Sequence, residues 1–304
     1  MDGILRWLHP GNQRGMLARF RWAVLLSLLA ARNAGNILRA PGAMRRLWMW
    51  HYRRRHVHAA VVHLPVRGDL TVPSSNQNSG MLVATGFTER GDQILVARLI
   101  GRSSVLVDVG ANIGVYSVAA AASGATVVAY EPVSSTNAQL AANLAPYPSA
   151  LVRPVAVGEV AGHARMHGTG VGATLNDVRG SEVEVVRLDD EELPRGDVII
   201  LKVDAEGRDI EVLRGAESFV RATQPVILCE VWHGGRDVRS YLSTLGFRAH
   251  RTTRNGELRV LSEGFSGDGN MVFVHPAVDA LVRQRLGQQF RLDRLRLQFL
   301  TASN

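Results

Sequence analysis

Along this 304-residue chain the spacing of apolar and polar positions changes repeatedly, and each change predicts an element. Residues 57–72 alternate around a Gly68-Asp69 turn signal, which predicts a β-hairpin. Residues 76–80 read as a loop. Residues 88–100 set Ile94, Leu95, Ala97 and Leu99 at helical spacing, with Thr88 or Asp92 as cap. Strands and helices then alternate: strand 104–109, helix 115–122, strand 126–130, helix 136–144 and strand 151–157. A Gly-rich stretch to Gly180 holds an extra hairpin, and 183–188 is extended. Strand 198–203, helix 210–220, strand 226–231 and helix 237–245 follow, with 259–261 and 271–274 as a final strand pair. Strands that are apolar throughout belong to a parallel sheet covered by helices on both faces. After Pro276 an amphipathic helix rich in Arg, Gln and Leu closes the chain. The expected division is a helical extension at 1–58, a main α/β domain at 59–276 and a C-terminal helix at 277–304.

Composition narrows the class. At 46% hydrophobic and 20% charged residues the chain is globular. Cys229 is the only cysteine, which rules out a disulfide framework and a Cys-based zinc site; on its apolar strand it reads as a small buried residue. Residues 1–60 hold 11 arginines against one acid, Asp2, so they exceed the whole chain's net charge of +8 and leave the rest slightly negative. A near-neutral main domain argues against a nucleic-acid partner. The apolar run at 22–31 is about half of the roughly 20 residues that span a bilayer. The basic, Trp-containing segment therefore reads as a helical extension that packs on the main domain or a second subunit, making a homodimer. The other reading is peripheral contact with an anionic membrane surface. His51, His56, His58 and His63 read as part of its solvated face. The expected location is cytoplasmic, with the inner face of the membrane left open.

The chemistry concentrates at 105–131. A strand ends in Asp108, a turn carries Gly110, Asn112 and Gly114, a helix begins, and the next strand ends in Glu131. Glycines let the backbone turn tightly and approach a ligand, and the helix start offers free N–H groups. A carboxylate at the second strand's end can accept hydrogen bonds from both hydroxyls of a ribose. The G-x-x-x-G spacing, with Asn112 where a dinucleotide fingerprint has its middle glycine, does not cradle a pyrophosphate. Asp108 suits a cationic group. S-adenosylmethionine carries an ammonium, a sulfonium and a ribose but no phosphate, and it is the expected cofactor, held by Asp108, Gly110, Asn112, Gly114 and Glu131. A nicotinamide-dependent oxidoreductase and a non-catalytic module with this fold are the rival readings.

Those residues resemble motif I of class I methyltransferases and its acidic partner. A later run resembles the FkbM family of methyltransferases: Leu188-Asp189-Asp190, then Lys202-Val203-Asp204-Ala205-Glu206-Gly207, Glu211-Val212-Leu213-Arg214-Gly215, and Pro225 to Glu230. The resemblance covers roughly residues 85–276 and leaves the first 60 unexplained. It implies a Rossmann-like, mostly parallel sheet with a reversed last strand, S-adenosylmethionine as methyl donor, and O-methylation of a small-molecule hydroxyl acceptor, a sugar or polyketide-type metabolite. It also sets Gly172, Ala173 and Thr174 beside the acceptor.

Alternation puts Lys202, Asp204 and Glu206 on one face if the strand stays extended that far. A hydroxyl is a poor nucleophile and calls for a general base. Asp204, Glu206 and His233 are the expected catalytic residues, with Glu230 a further candidate; histidine has the best unperturbed pKa for the task. No clean ligand spacing marks a metal. Asn270, before the last strand, is a further expected contact.

Overall fold

The computed structural model describes residues 42–53, 56–76, 78–167, 174–175, 180–231, 236–262, 265 and 267–301. The chain opens with α1 (Ala43–Arg53), β1 (Val57–His63), β2 (Asp69–Pro73), α2 (Ser79–Thr85) and α3 (Arg90–Leu99). The alternating core follows: β3 (Ser104–Val109), α4 (Val115–Ala122), β4 (Thr126–Tyr130), α5 (Ser134–Leu144) and β5 (Ala150–Arg153). Next come β6 (Ala156–Val157), β7 (Gly162–His167), β8 (Thr174–Leu175), β9 (Ser181–Val186) and a 3-10 turn at Leu188–Asp190. The second half holds β10 (Val198–Val203), α6 (Asp209–Arg214), α7 (Glu217–Thr223), β11 (Val226–Val231) and α8 (Arg236–Thr244). It ends with β12 (Arg248–Thr252), β13 (Leu258–Val260), β14 (Gly269–Val274), α9 (Pro276–Leu286) and β15 (Arg296–Thr301).

Eight strands form the central sheet in the order β13-β12-β14-β11-β10-β3-β4-β5. From β11 to β5 the pairing is parallel. β14 is reversed, running antiparallel to both β11 and β12. This is the Rossmann-like α/β arrangement with a reversed last strand. Every residue of β3 and of β10 is buried, as strands covered on both sides require. Period-two alternation divides their side chains. Val105, Val107, Val109, Ile199, Leu201 and Val203 pack on one face. Leu106 and Ile200 pack on the other, so Asp108 and Lys202 share that second face. The two are direct partners in the β3–β10 ladder. β4 and β5 lie to one side of β3 and β10 to the other, so a crevice opens where the winding reverses.

Several predicted boundaries change. Residues 151–157 are not one strand: Pro154, which has no N–H to donate, separates β5 in the central sheet from β6 in a four-stranded sheet ordered β6-β9-β7-β8. Residues 210–220 are not one helix. A Cβ at Gly215 would lie 2.0 Å from the Gly158 carbonyl oxygen, and this close approach sits at the break between α6 and α7. The expected pair 259–261 and 271–274 is separated by β12, which bonds to both. α3 starts two residues after Thr88. The Gln93 side chain, not Thr88 or Asp92, takes the N–H groups of Thr88 and Glu89, both at 2.8 Å. The C-terminal helix stops at Leu286 instead of filling 277–304. Beyond it, Leu297 and Phe299 alternate with Arg296 and Gln298 as β15, which pairs with β1.

The predicted hairpin forms as β1 and β2, and with β15 it makes a separate three-stranded sheet. α1 is helical over Ala43–Arg53 and β1 already begins at Val57, inside the expected 1–58 extension; residues 1–41 lie outside the described residues. Trp50 anchors α1: it is 2% exposed, stacks on Phe299 at 5.9 Å and donates to Ser79 Oγ at 3.2 Å. His63 is not simply solvated, since its Nδ1 lies 2.7 Å from Asp69 Oδ1. Among the described residues no helix is long and apolar enough to cross a membrane.

Candidate functional site

At the carboxyl ends of β3, β4, β10 and β11 lies a cavity of about 350 Å³, lined by Gly110, Asn112, Glu131, Asp204, Glu206 and Glu230 among others. Pockets for small ligands fall in this size range. The turn after β3 is built for close approach. Gly110 has φ 72°, and a Cβ there would lie 1.9 Å from the Asp204 carbonyl oxygen. Gly114 has φ 93°, and its Cβ would meet Leu140 at 2.8 Å. Both positions require glycine because of protein neighbours, where the sequence suggested a ligand as the cause. Asn112 sits between them at φ 52°, a conformation asparagine tolerates, with its Oδ1 accepting the Ile113 N–H at 2.8 Å.

This turn aims the Asn112 N–H at Glu131. Glu131 Oε2 accepts it at 3.0 Å, and Oε1 accepts the Val133 N–H at 2.9 Å. The carboxylate is thus fixed at the end of β4 while each oxygen keeps acceptor capacity for a ligand. Burial raises its pKa, against the lowering effect of those two N–H groups.

Across the crevice stands Lys202, 5% exposed. Its Nζ lies 3.3 Å from Asp108 Oδ1 and 3.4 Å from Asp204 Oδ2, and it donates to the Gly110 carbonyl at 3.1 Å. Burial alone would lower its pKa, but Asp204, Asp108 and Glu89 outweigh burial and raise it, so the ammonium stays charged. Asp108 is fully buried, and its other oxygen accepts from Ser117 Oγ at 2.6 Å. Glu89, at the start of α3, accepts from the Tyr116 hydroxyl at 2.8 Å. Burial and then Asp92 raise its pKa. Glu230 is half-buried, and its pKa is pushed up to about 8 by burial, by a hydrogen bond with Asp204 and by that group's charge. The site can therefore hold a proton near neutrality, and its carboxyl groups outnumber its single ammonium.

Of the predicted residues, Gly110, Asn112, Glu131, Asp204 and Glu206 come together around the cavity. Asp108 does not line it: paired in register with Lys202 on the buried face, it serves as that lysine's counter-ion. Gly114 shapes the turn from behind. Lys202, Asp204 and Glu206 do not share an extended face, because β10 ends at Val203 and Glu206 has φ 50°. His233, Gly172 and Ala173 lie outside the described residues, and of Thr174 only the backbone in β8 is described. Asn270 holds no ligand position; its Nδ2 donates to Asp92 Oδ2 at 3.0 Å, tying β14 to α3. Cys229 is fully buried, and burial pushes its thiol pKa well up, as a packing residue requires. Glu89, Tyr116 and Asn76 also line the cavity and carried no sequence signal beyond a charged residue at a helix start.

Residues 108–249 match a family model described as the Methyltransferase FkbM domain. Over these residues the chain is similar to the FkbM methyltransferase domain. The matched segment begins at Asp108 and contains the residues expected to bind the cofactor and to act in catalysis, but not Asn270, whereas Asn76 and Glu89 reach the cavity from before it. Methyltransferase FkbM from Methylobacillus flagellatus KT aligns with 18% identity and a TM-score of 0.42, over 57% of this chain and 44% of that one. This chain therefore spans less than half of that relative. A TehB-like SAM-dependent methyltransferase from Corynebacterium glutamicum aligns at 12% identity and TM-score 0.40, over 64% of this chain and 92% of that one. A Pyrococcus abyssi tRNA (uracil-54, C5)-methyltransferase in complex with S-adenosyl-L-homocysteine aligns at 10% identity and TM-score 0.37, over 68% and 42%. No curated protein matches.

Proposed function

We propose that this chain transfers a methyl group from S-adenosylmethionine to a hydroxyl oxygen of a small molecule such as a sugar, glycolipid or polyketide-type metabolite. The donor fits the residues present. Five carboxyl groups (Glu89, Glu131, Asp204, Glu206 and Glu230) face the cavity against Lys202 alone, which complements a sulfonium and an ammonium and repels a pyrophosphate. Glu131, held by two N–H groups, keeps lone pairs for the two ribose hydroxyls. When bound, S-adenosylmethionine supplies a methyl group on a good leaving group.

The chain's own residues then have three tasks. Glu131 and the Asn112 turn fix the nucleoside end. Val155, Val157 and Met166 supply apolar lining against which the reactants are positioned. Glu230 takes the proton of the acceptor hydroxyl; its carboxyl group, lining the cavity together with that of Asp204, is the observation that supports oxygen as acceptor. A general base of this kind contributes roughly 10²–10⁴-fold. Incubation with methyl-labelled S-adenosylmethionine and a panel of sugars, glycolipids and polyketides tests the reading. Label should appear in a methyl ether and not in a methyl ester, and Glu230→Gln should lose transfer while still binding S-adenosylhomocysteine. Label on nitrogen or carbon, or full activity in Glu230→Gln, contradicts it.

A further inference from the structure

α1 has two unlike faces. Ala43, Leu47 and Trp50 are buried against α2 and β15 at 1%, 6% and 2% exposure. Met44, Trp48 and Tyr52, spaced four apart and so aligned along one side, stand out at 45%, 61% and 69%. The Trp48 and Tyr52 rings stack at 5.7 Å with 10° between their planes, forming one continuous aromatic surface. Scattered exposed apolar residues are ordinary; three aligned on one helix are a patch. Positive charge flanks it along the sequence. Arg45 is exposed beside Met44, and the sequence continues past Tyr52 as Arg53-Arg54-Arg55. Between Asp2 and Asp69 the chain holds 12 arginines and no acid.

We propose that the exposed Met44-Trp48-Tyr52 face of α1 docks this protein on an anionic lipid surface. Tryptophan and tyrosine rings partition to headgroup depth, and arginines meet lipid phosphates. The run at 22–31, ahead of α1 in the sequence, is apolar and uncharged, a composition that suits lipid better than a phosphate backbone. Trp48 and Tyr52 each spend one ring face on the other, which leaves no gap between them for a base to stack in. The docking is independent of the proposed reaction, because none of the three residues lines the cavity.

Co-sedimentation of the full chain with phosphatidylglycerol/phosphatidylcholine vesicles tests this, with phosphatidylcholine vesicles as control. The wild type should pellet with the anionic vesicles only, and less as salt rises. Trp48→Ser with Tyr52→Ser should reduce pelleting at least tenfold. These exposed substitutions should leave the melting temperature unchanged, separating lost docking from lost folding. Equal pelleting of variant and wild type, which would assign binding to residues 1–41, overturns the proposal. So does failure of the wild type to pellet, with the stripe covering a second copy instead, or preferential capture of single-stranded RNA.

Discussion

Replacing Lys202 with methionine removes the only cation from a buried pair. Asp108 is fully buried and would lose the ammonium 3.3 Å from its Oδ1, keeping only the Ser117 hydroxyl on its other oxygen. Breaking a buried pair by removing one partner costs about 3–5 kcal/mol, because the remaining charge has neither water nor a counter-ion. Asp204 suffers far less, since its side chain is 34% exposed and solvent screens it. At about 2–4 °C per kcal/mol for large domains, Lys202→Met should lower the melting temperature by about 6–20 °C. Asp108→Asn in the same chain removes the stranded charge yet still accepts from Ser117. The double variant should therefore regain at least half of the loss. Thermal melts of the wild type, both single variants and the double variant measure the coupling directly. A Lys202→Met protein within about 1 kcal/mol of wild type, or a double variant no better than the single, refutes this account of the pair.

Gly215→Ala tests the break between α6 and α7. With φ at −70° the backbone suits alanine, so the 2.0 Å clash with the Gly158 carbonyl is the whole effect. Urea denaturation should show a loss of about 1–3 kcal/mol, and an unchanged midpoint contradicts the packing. Glu230 makes stability depend on pH. Its folded pKa of about 8 lies above its unfolded value, so it favours the fold most at low pH and that contribution is lost as pH rises through 8. Glu230→Gln should therefore gain melting temperature relative to wild type progressively from about pH 4.5 to 8. A gap that is constant across this range contradicts the proton held there. For the proposed transfer, kcat/KM should rise with pH through about 8 in the wild type and lose that limb in Glu230→Gln.

The strands at the centre of the sheet were legible because β3, β4, β10 and β11 are short apolar runs bounded by turn residues. β12 was not: its RAHRT sequence buries only His250, and it becomes a strand because β14 and β13 flank it. β15 alternates with period two, yet its leucines and arginines equally suit a helix; pairing with the distant β1 decides the matter. The break at Gly215 depends on Gly158, a neighbour in space that sequence spacing cannot reveal. The position of Gly110, Asn112 and Glu131 beside the crevice was legible because a glycine turn between two apolar strands ends at their carboxyl edge. The ion pair of Asp108 was not legible because its partner, Lys202, arrives on another strand. Glu89 was missed because a lone glutamate before a helix looks like a solvated cap.

The account rests on Glu131 as the anchor of the nucleoside site, and isothermal titration of S-adenosylhomocysteine into the wild type and Glu131→Gln tests it most directly. The glutamine keeps the size of the side chain but exchanges one acceptor oxygen for a donor. Saturating ligand at about 100 times its dissociation constant should also stabilise the wild type by about 2.7 kcal/mol. The account predicts binding to the wild type and at least tenfold weaker binding to Glu131→Gln. No binding to the wild type, or equal affinity in both proteins, would contradict it.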